Sequence, residues 1–127
     1  MIQHKEYYYI YMILLSNNTI YTGMTSNLSE RIMNHINGKG SKIARSFKPI
    51  EILQAWRIYE SKNITLQVEH CIKKLTKHEK QNLINNPKEL TAVFYQYSSK
   101  KIKKRTLRYT EIQKKNIELF PPSNLIK

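Results

Sequence analysis

The chain has 127 residues, 40% hydrophobic and 24% charged, with 22 Lys and Arg against nine acidic residues, all glutamate, for a formal net charge of +13. That length makes one domain with room for an appendage, and a core can form without a metal or disulfide staple. Cys71 has no second cysteine to pair with, which excludes a disulfide-stabilised secreted module, and the basic excess makes a polyanion the expected partner.

In chain order, Tyr8 to Leu15 is a β-branched, aromatic and aliphatic run that predicts a first strand. It is too short to span a membrane and no small-residue cleavage site follows, so neither a membrane partner nor a signal peptide is expected, and the expected location is cytoplasmic. Ser16-Asn17-Asn18-Thr19 is turn chemistry and Ile20 to Thr25 resumes a strand, giving an antiparallel hairpin. A three-residue loop, Asn17 to Thr19, pairs Ser16 with Ile20. In that register Tyr11 and Tyr21 share a face, with Tyr21 opposite Leu15 and roughly 13 Å from Tyr11. Asn27 and Glu30 mark the start of a helix that runs from Leu28 to Asn37 and stops at Gly38.

Gly38-Lys39-Gly40-Ser41-Lys42 is a basic loop without the spacing of a nucleotide-binding P-loop. Ile50 to Tyr59 predicts a third strand, and Asn63 to Asn86 two helices with a break near Leu75, the second capped by Thr76 and Glu79. Pro87 opens a further amphipathic helix whose Leu90, Val93, Phe94 and Tyr97 share one face. Beyond Ser98 come the basic cluster Lys100, Lys101, Lys103, Lys104 and Arg105, then a short helix expected from Thr110 and Gln113, then a Pro-Pro break. Residues 1–86 carry a net charge of +6 and residues 87–127 one of +7, so the excess is concentrated toward the C-terminus.

Tyr9-Ile10-Tyr11, then Tyr21-Thr22-Gly23, then Asn27-Leu28, Arg31 and His35, the glycine-lysine loop, Pro49 and the Glu69 to Lys80 segment with Ile72-Lys73-Lys74-Leu75-Thr76 keep an order and spacing that resemble the GIY-YIG nuclease family, in its small single-domain bacterial branch. The resemblance spans about residues 7–86; the first motif has Tyr9 where the family has glycine. It implies an α+β fold, a small three-stranded antiparallel sheet flanked by helices, that hydrolyses nucleic-acid phosphodiester bonds with one divalent metal. Residues 87–127 then form a basic, partly helical C-terminal extension. The family's late asparagine corresponds to Asn82, Asn85 or Asn86.

The residues at these positions suit that chemistry. Arg31 and His35 lie one helical turn apart on the shoulder of the buried stripe, and a guanidinium there offers a planar fork for two phosphate oxygens. His35 is read as catalytic, a satisfied imidazole at the core edge being the other reading. Glu69 supplies one hard oxygen ligand for Mg²⁺ or Mn²⁺; adjacent His70 and Cys71 point apart and make no zinc pair. A chain without aspartate has few carboxylates to gather for two metals. Tyr11 is the candidate general base, its pKa lowered by a nearby Arg and a metal, with Tyr21 as partner or phosphate contact. Lys39, Lys42 and Arg45, together with Lys100, Lys101, Lys103, Lys104 and Arg105, are expected to contact the nucleic-acid backbone.

The expected function is therefore a metal-dependent endonuclease acting on DNA, on single-stranded, flapped or branched forms, with RNA left open as a substrate. Two other readings are a nonenzymatic nucleic-acid-binding module of the same fold, and a subunit active only with a protein partner docked on the Leu90/Val93/Phe94/Tyr97 face.

Overall fold

Residues 7–39, 46–98 and 106–113 are described by the computed structural model. Strands β1 (Tyr8–Leu15) and β2 (Ile20–Thr25) are joined by Ser16-Asn17-Asn18-Thr19. The Leu15 amide donates to the Thr19 carbonyl at 2.9 Å, the Asn18 amide donates to the Leu15 carbonyl at 2.8 Å, and Asn18 takes φ 66°, a left-handed conformation that asparagine tolerates better than most residues. This turn sets the register: Leu14 pairs with Ile20, Ile13 with Tyr21 and Tyr11 with Gly23. The expected Ser16 to Ile20 closure is thus off by one pleat. Tyr11 and Tyr21 do share a face, but Tyr21 sits opposite Ile13, two residues from Tyr11 along the strand, or about 6.6 Å rather than 13 Å.

β3 (Pro49–Ile58) pairs antiparallel with the other side of β1, and β4 (Tyr109–Glu111) pairs antiparallel with β3, giving the order β2-β1-β3-β4. The sheet therefore has four strands, one more than the three expected. Thr110 pairs with Arg57 in the middle of β4, so no helix starts there. The ladder is extended on both sides by hydrogen bonds from the Ile112 amide to the Ala55 carbonyl and from the Tyr59 amide to the Arg108 carbonyl. Pairing satisfies the backbone groups that a bare β3 edge would expose, and this outweighs the local capping signal at Thr110.

Helices cover both faces. Alternation along β1 and β3 sends Ile10, Met12, Trp56 and Ile58 into the larger core, against Val68, Cys71 and Ile72 of α2 (Lys62–Lys73), Leu83 and Ile84 of α3 (Lys77–Asn85), and Leu90 and Phe94 of α4 (Leu90–Tyr97). The opposite face sends Tyr11, Ile13, Leu15 and Ala55 against Leu28 and Ile32 of α1 (Leu28–Ile36). Asn27 caps α1 by accepting the Glu30 amide, and Thr76 with Glu79 closes a reciprocal capping box on α3. Leu90 and Phe94 are buried in the core, and Val93 and Tyr97 pack against it. The expected docking face for a protein partner is thus occupied by the chain itself: the apolar stripe is the inward side of α4. Among the described residues no helix is long and apolar enough to cross a membrane.

Candidate active site

Packing α1 on the Tyr11 face of the sheet brings Arg31 and His35, one turn apart, over the paired strands β1 and β2. The Tyr11 hydroxyl lies 2.8 Å from His35 Nε2 and accepts a hydrogen bond from Arg31 Nε at 3.2 Å. The Tyr21 ring sits 6.3 Å from that of Tyr11 and 5.3 Å from that of His35, within electrostatic reach of Arg31. Tyr11 and His35 are buried, whereas Tyr21 and Arg31 are half-buried, so the tyrosine-histidine pair lies beneath an Arg31-Tyr21 rim. Gly23, opposite Tyr11 in the ladder, makes the arrangement possible: a Cβ there would come within 2.5 Å of Tyr11 Cζ and closer to its hydroxyl.

Burial decides the protonation states. Tyr11 is pushed up to about 12 by desolvation, which outweighs the opposing pull of Arg31, so the expected depression of its pKa does not occur in the free protein. His35 is pushed down to about 4, by burial first and then by the charge of Arg31. Near neutral pH the site therefore holds a phenol and a neutral imidazole. Arg31 can only donate, whereas the direction of the Tyr11–His35 bond follows the imidazole tautomer. With its proton on Nδ1, which among the described residues is buried without a hydrogen-bond partner, His35 accepts the Tyr11 hydrogen bond at Nε2.

The depressed His35 pKa has a consequence for stability. Below the ordinary histidine value of 6.5 the unfolded chain takes up a proton that the folded chain refuses until about 4, so stability is full above that window and falls as pH drops through it. The loss should reach about 3 kcal/mol at the bottom of the window. Urea midpoints measured across it should fall for the native chain and flatten in His35→Gln; parallel curves would mean that His35 protonates freely in the fold.

Glu69 projects from α2 with its side chain 16% exposed and its Oε1 3.6 Å from Lys73 Nζ one turn on, and its negative charge contributes to raising the Tyr11 pKa. Among the described residues no group of three or more His, Cys, Asp or Glu is placed to hold a metal ion. One carboxylate, partly exposed and near enough for its charge to act on Tyr11, fits a Mg²⁺-type ion that keeps most of its waters better than a two-metal centre. His70 is exposed and Cys71 buried, as expected of neighbours pointing apart.

Lys39 is exposed just past α1, with its amide bonded to the Asn34 carbonyl at 2.7 Å. Lys42, Arg45, Lys100, Lys101, Lys103, Lys104 and Arg105 lie outside the described residues. Asn82, Asn85 and Asn86 are all exposed on or just after α3, where the Asn86 side chain donates to the Asn82 carbonyl and Asn85 accepts from Gln81. Two features escaped the sequence reading: the cradle that Gly23 makes for the Tyr11 ring, and an arginine, Arg57, stacked among tyrosines on the same sheet face. The first depends on Asn18 rather than Asn17 taking the left-handed conformation that pairs Tyr11 with Gly23, which two identical side chains do not reveal.

A model of the GIY-YIG catalytic domain matches residues 7–82. A UPF0213 protein of Natronomonas pharaonis is 35% identical over 77 residues, covering 61% of this chain and 89% of the relative. One from Bacillus velezensis is 30% identical over 88 residues, covering 69% of this chain and 88% of the relative. The solution NMR structure of a UPF0213 protein from Bacillus halodurans aligns with 67% of this chain and 93% of its own at 28% identity, with a TM-score of 0.38.

Proposed function

Because the chain belongs to the GIY-YIG family, whose catalytic domain is of nuclease type, we propose that it is a metal-dependent endonuclease that hydrolyses phosphodiester bonds in DNA. The observation that carries this reading is the Tyr11 hydroxyl held between a permanent donor, Arg31 Nε, and the Nε2 of a neutral imidazole, His35, which accepts in the Nδ1–H tautomer. A phosphate bound against Arg31 would be oriented by the rest of the guanidinium fork, with Tyr21 beside it. It would also cancel the positive charge that helps to hold the His35 pKa down, so substrate binding makes the imidazole a better proton acceptor.

Hydrolysis then proceeds with water forming the new P–O bond. Its proton passes to the Tyr11 oxygen as the Tyr11 proton passes to His35 Nε2, so no free phenolate is needed in a site where phenolate is costly. The leaving oxygen departs with the electron pair of the broken P–O bond and takes a proton from solvent, while Arg31 stabilises the charge growing on the phosphoryl oxygens. Glu69 is the residue that would hold a single Mg²⁺ or Mn²⁺, which when bound neutralises phosphate charge. In this reading residues 7–86 carry the chemistry, and the basic residues of 87–127, with Lys39, Lys42 and Arg45, add backbone grip.

Labelled single-stranded, duplex, flap and junction DNAs, with an RNA counterpart of each, test this when digested with Mg²⁺ or Mn²⁺ and with excess chelator. Internal cuts in at least one DNA that chelation abolishes are expected. Binding without cuts under any metal condition would overturn the proposal in favour of a nonenzymatic nucleic-acid-binding protein.

A further inference from the structure

One pleat along β1 from Tyr11, on the same face of the sheet, Tyr9 stands opposite Arg57 of β3. The Arg57 guanidinium carbon lies 4.9 Å from the centre of the Tyr7 ring and 5.4 Å from that of Tyr9, and its Nη2 donates to the Tyr9 hydroxyl at 3.2 Å. Tyr7 meets Tyr9 edge to face at 5.7 Å and Tyr59 at 6.0 Å, and Arg57 interacts electrostatically with Tyr59 as well. All four side chains are half-buried, so each retains surface. Among the described residues the partners of Arg57 are phenols and aromatic rings rather than carboxylates, which leaves its positive charge unneutralised.

Three aromatic rings clustered round an unneutralised guanidinium match what single-stranded nucleic acid asks of a protein, namely flat apolar surface for the bases with positive charge for the backbone between them. Tyr9 and Tyr11 are two residues apart on one strand face, about 6.6 Å, or about two base rises of 3.4 Å. A strand whose phosphate rests on Arg31 therefore brings a base within one or two nucleotides onto this cluster, provided that the base is unpaired. Tyr9 occupies the position where the family motif has glycine, which has no ring to offer. We infer that Tyr7, Tyr9, Tyr59 and Arg57 form a stacking subsite for an unpaired base next to the phosphate bound at Arg31, so that the chain selects single-stranded or frayed nucleic acid. This inference rests on the proposed function for the location of the phosphate. The competing account is a staple that only ties β1, β3 and β4 together.

The two separate in a binding measurement made in chelator, where nothing is cut. Fluorescence anisotropy would compare a short oligothymidylate with an oligomer of the same length built from abasic nucleotides, which carries the same phosphates without bases. The native chain should prefer the thymidylate by roughly 5- to 100-fold. Tyr9→Leu and Tyr59→Leu should each shrink that ratio while leaving affinity for the abasic strand unchanged, and Tyr9→Phe, which keeps the ring, should preserve it. Photocrosslinking of a 5-iodouracil oligomer to the unaltered protein should label Tyr7, Tyr9 or Tyr59, which locates the subsite even where a variant folds poorly. A native ratio near one, a ratio unchanged in both leucine variants, or crosslinks confined to other residues would overturn the inference. Because the ratio is read without cleavage, the two proposals fail separately: a preference without nuclease activity removes only the proposed function, and cutting without the preference removes only the subsite.

Discussion

Tyr11→Phe is expected to lower the rate of DNA cleavage at pH 7 by roughly 10²- to 10⁴-fold, the usual contribution of a positioned proton-transfer group. The ring keeps its packing and only the relay between Arg31 and His35 is lost, so folding stability and DNA affinity should change little. Tyr21→Phe removes one hydroxyl from the rim of the site and should cost far less. The pH profile identifies the route of the proton. In the free protein His35 titrates at about 4 and Tyr11 at about 12, so neither changes state in the neutral range and the native kcat/KM should be nearly flat there. His35→Gln leaves the phenol a hydrogen-bond acceptor that is not a base, so only ionised Tyr11 can then take the proton of water. Its rate should rise about tenfold for each pH unit. A native enzyme that itself rises in this way would show that Tyr11 ionises directly and that His35 only holds it in place.

Gly23→Ala should remove activity as completely as the loss of Tyr11 itself. Glycine is needed here for space, because the Tyr11 ring occupies the volume of the missing side chain, with Cζ 2.5 Å and Cε1 2.9 Å from where a Cβ would stand. The ring is fully buried, and moving it pulls its hydroxyl away from both Arg31 and His35. Overpacking of this kind should also destabilise the fold by about 1–3 kcal/mol. The cause can be isolated by combining substitutions. In a Tyr11→Leu background the colliding ring atoms are gone, so adding Gly23→Ala should cost less than about 0.5 kcal/mol, as judged from urea midpoints. An equal cost in both backgrounds would place the role of the glycine in the backbone of β2.

Both experiments concern relations between residues, and these were the least visible in the linear sequence. Strands β1 to β3 and the helices were legible because each is bounded by strong local signals: the asparagine-rich turn, the caps at Asn27 and Thr76, and Pro87. The hairpin register was not, since it depends on which loop residue adopts the left-handed conformation, and Asn17 and Asn18 carry the same side chain. β4 is three residues long, too short for any alternation to register, and forms because β3 offers an edge. Periodicity in α4 revealed an apolar face without saying that its own core would cover it. At the site, motif spacing was enough to nominate Tyr11, Arg31 and His35, whereas the raised pKa of Tyr11 follows from its burial and so only from the assembled fold.

The pairing of β4 with β3 bears on how the charged tail can be manipulated. Leu107 is buried in the core, the Arg108 amide is bonded to the Glu60 carboxylate at 3.0 Å, and Tyr109–Glu111 closes the ladder immediately after the stretch that contains Lys100 to Arg105. Shortening the chain before Thr106 would discard those charges together with the strand that covers Trp56–Ile58 of β3, replacing a three-residue edge by a longer exposed one on which another copy could pair. Charge and solubility are thereby coupled through one short strand. The contribution of the basic run is best separated by neutralising its lysines in place, with β4 left on the sheet.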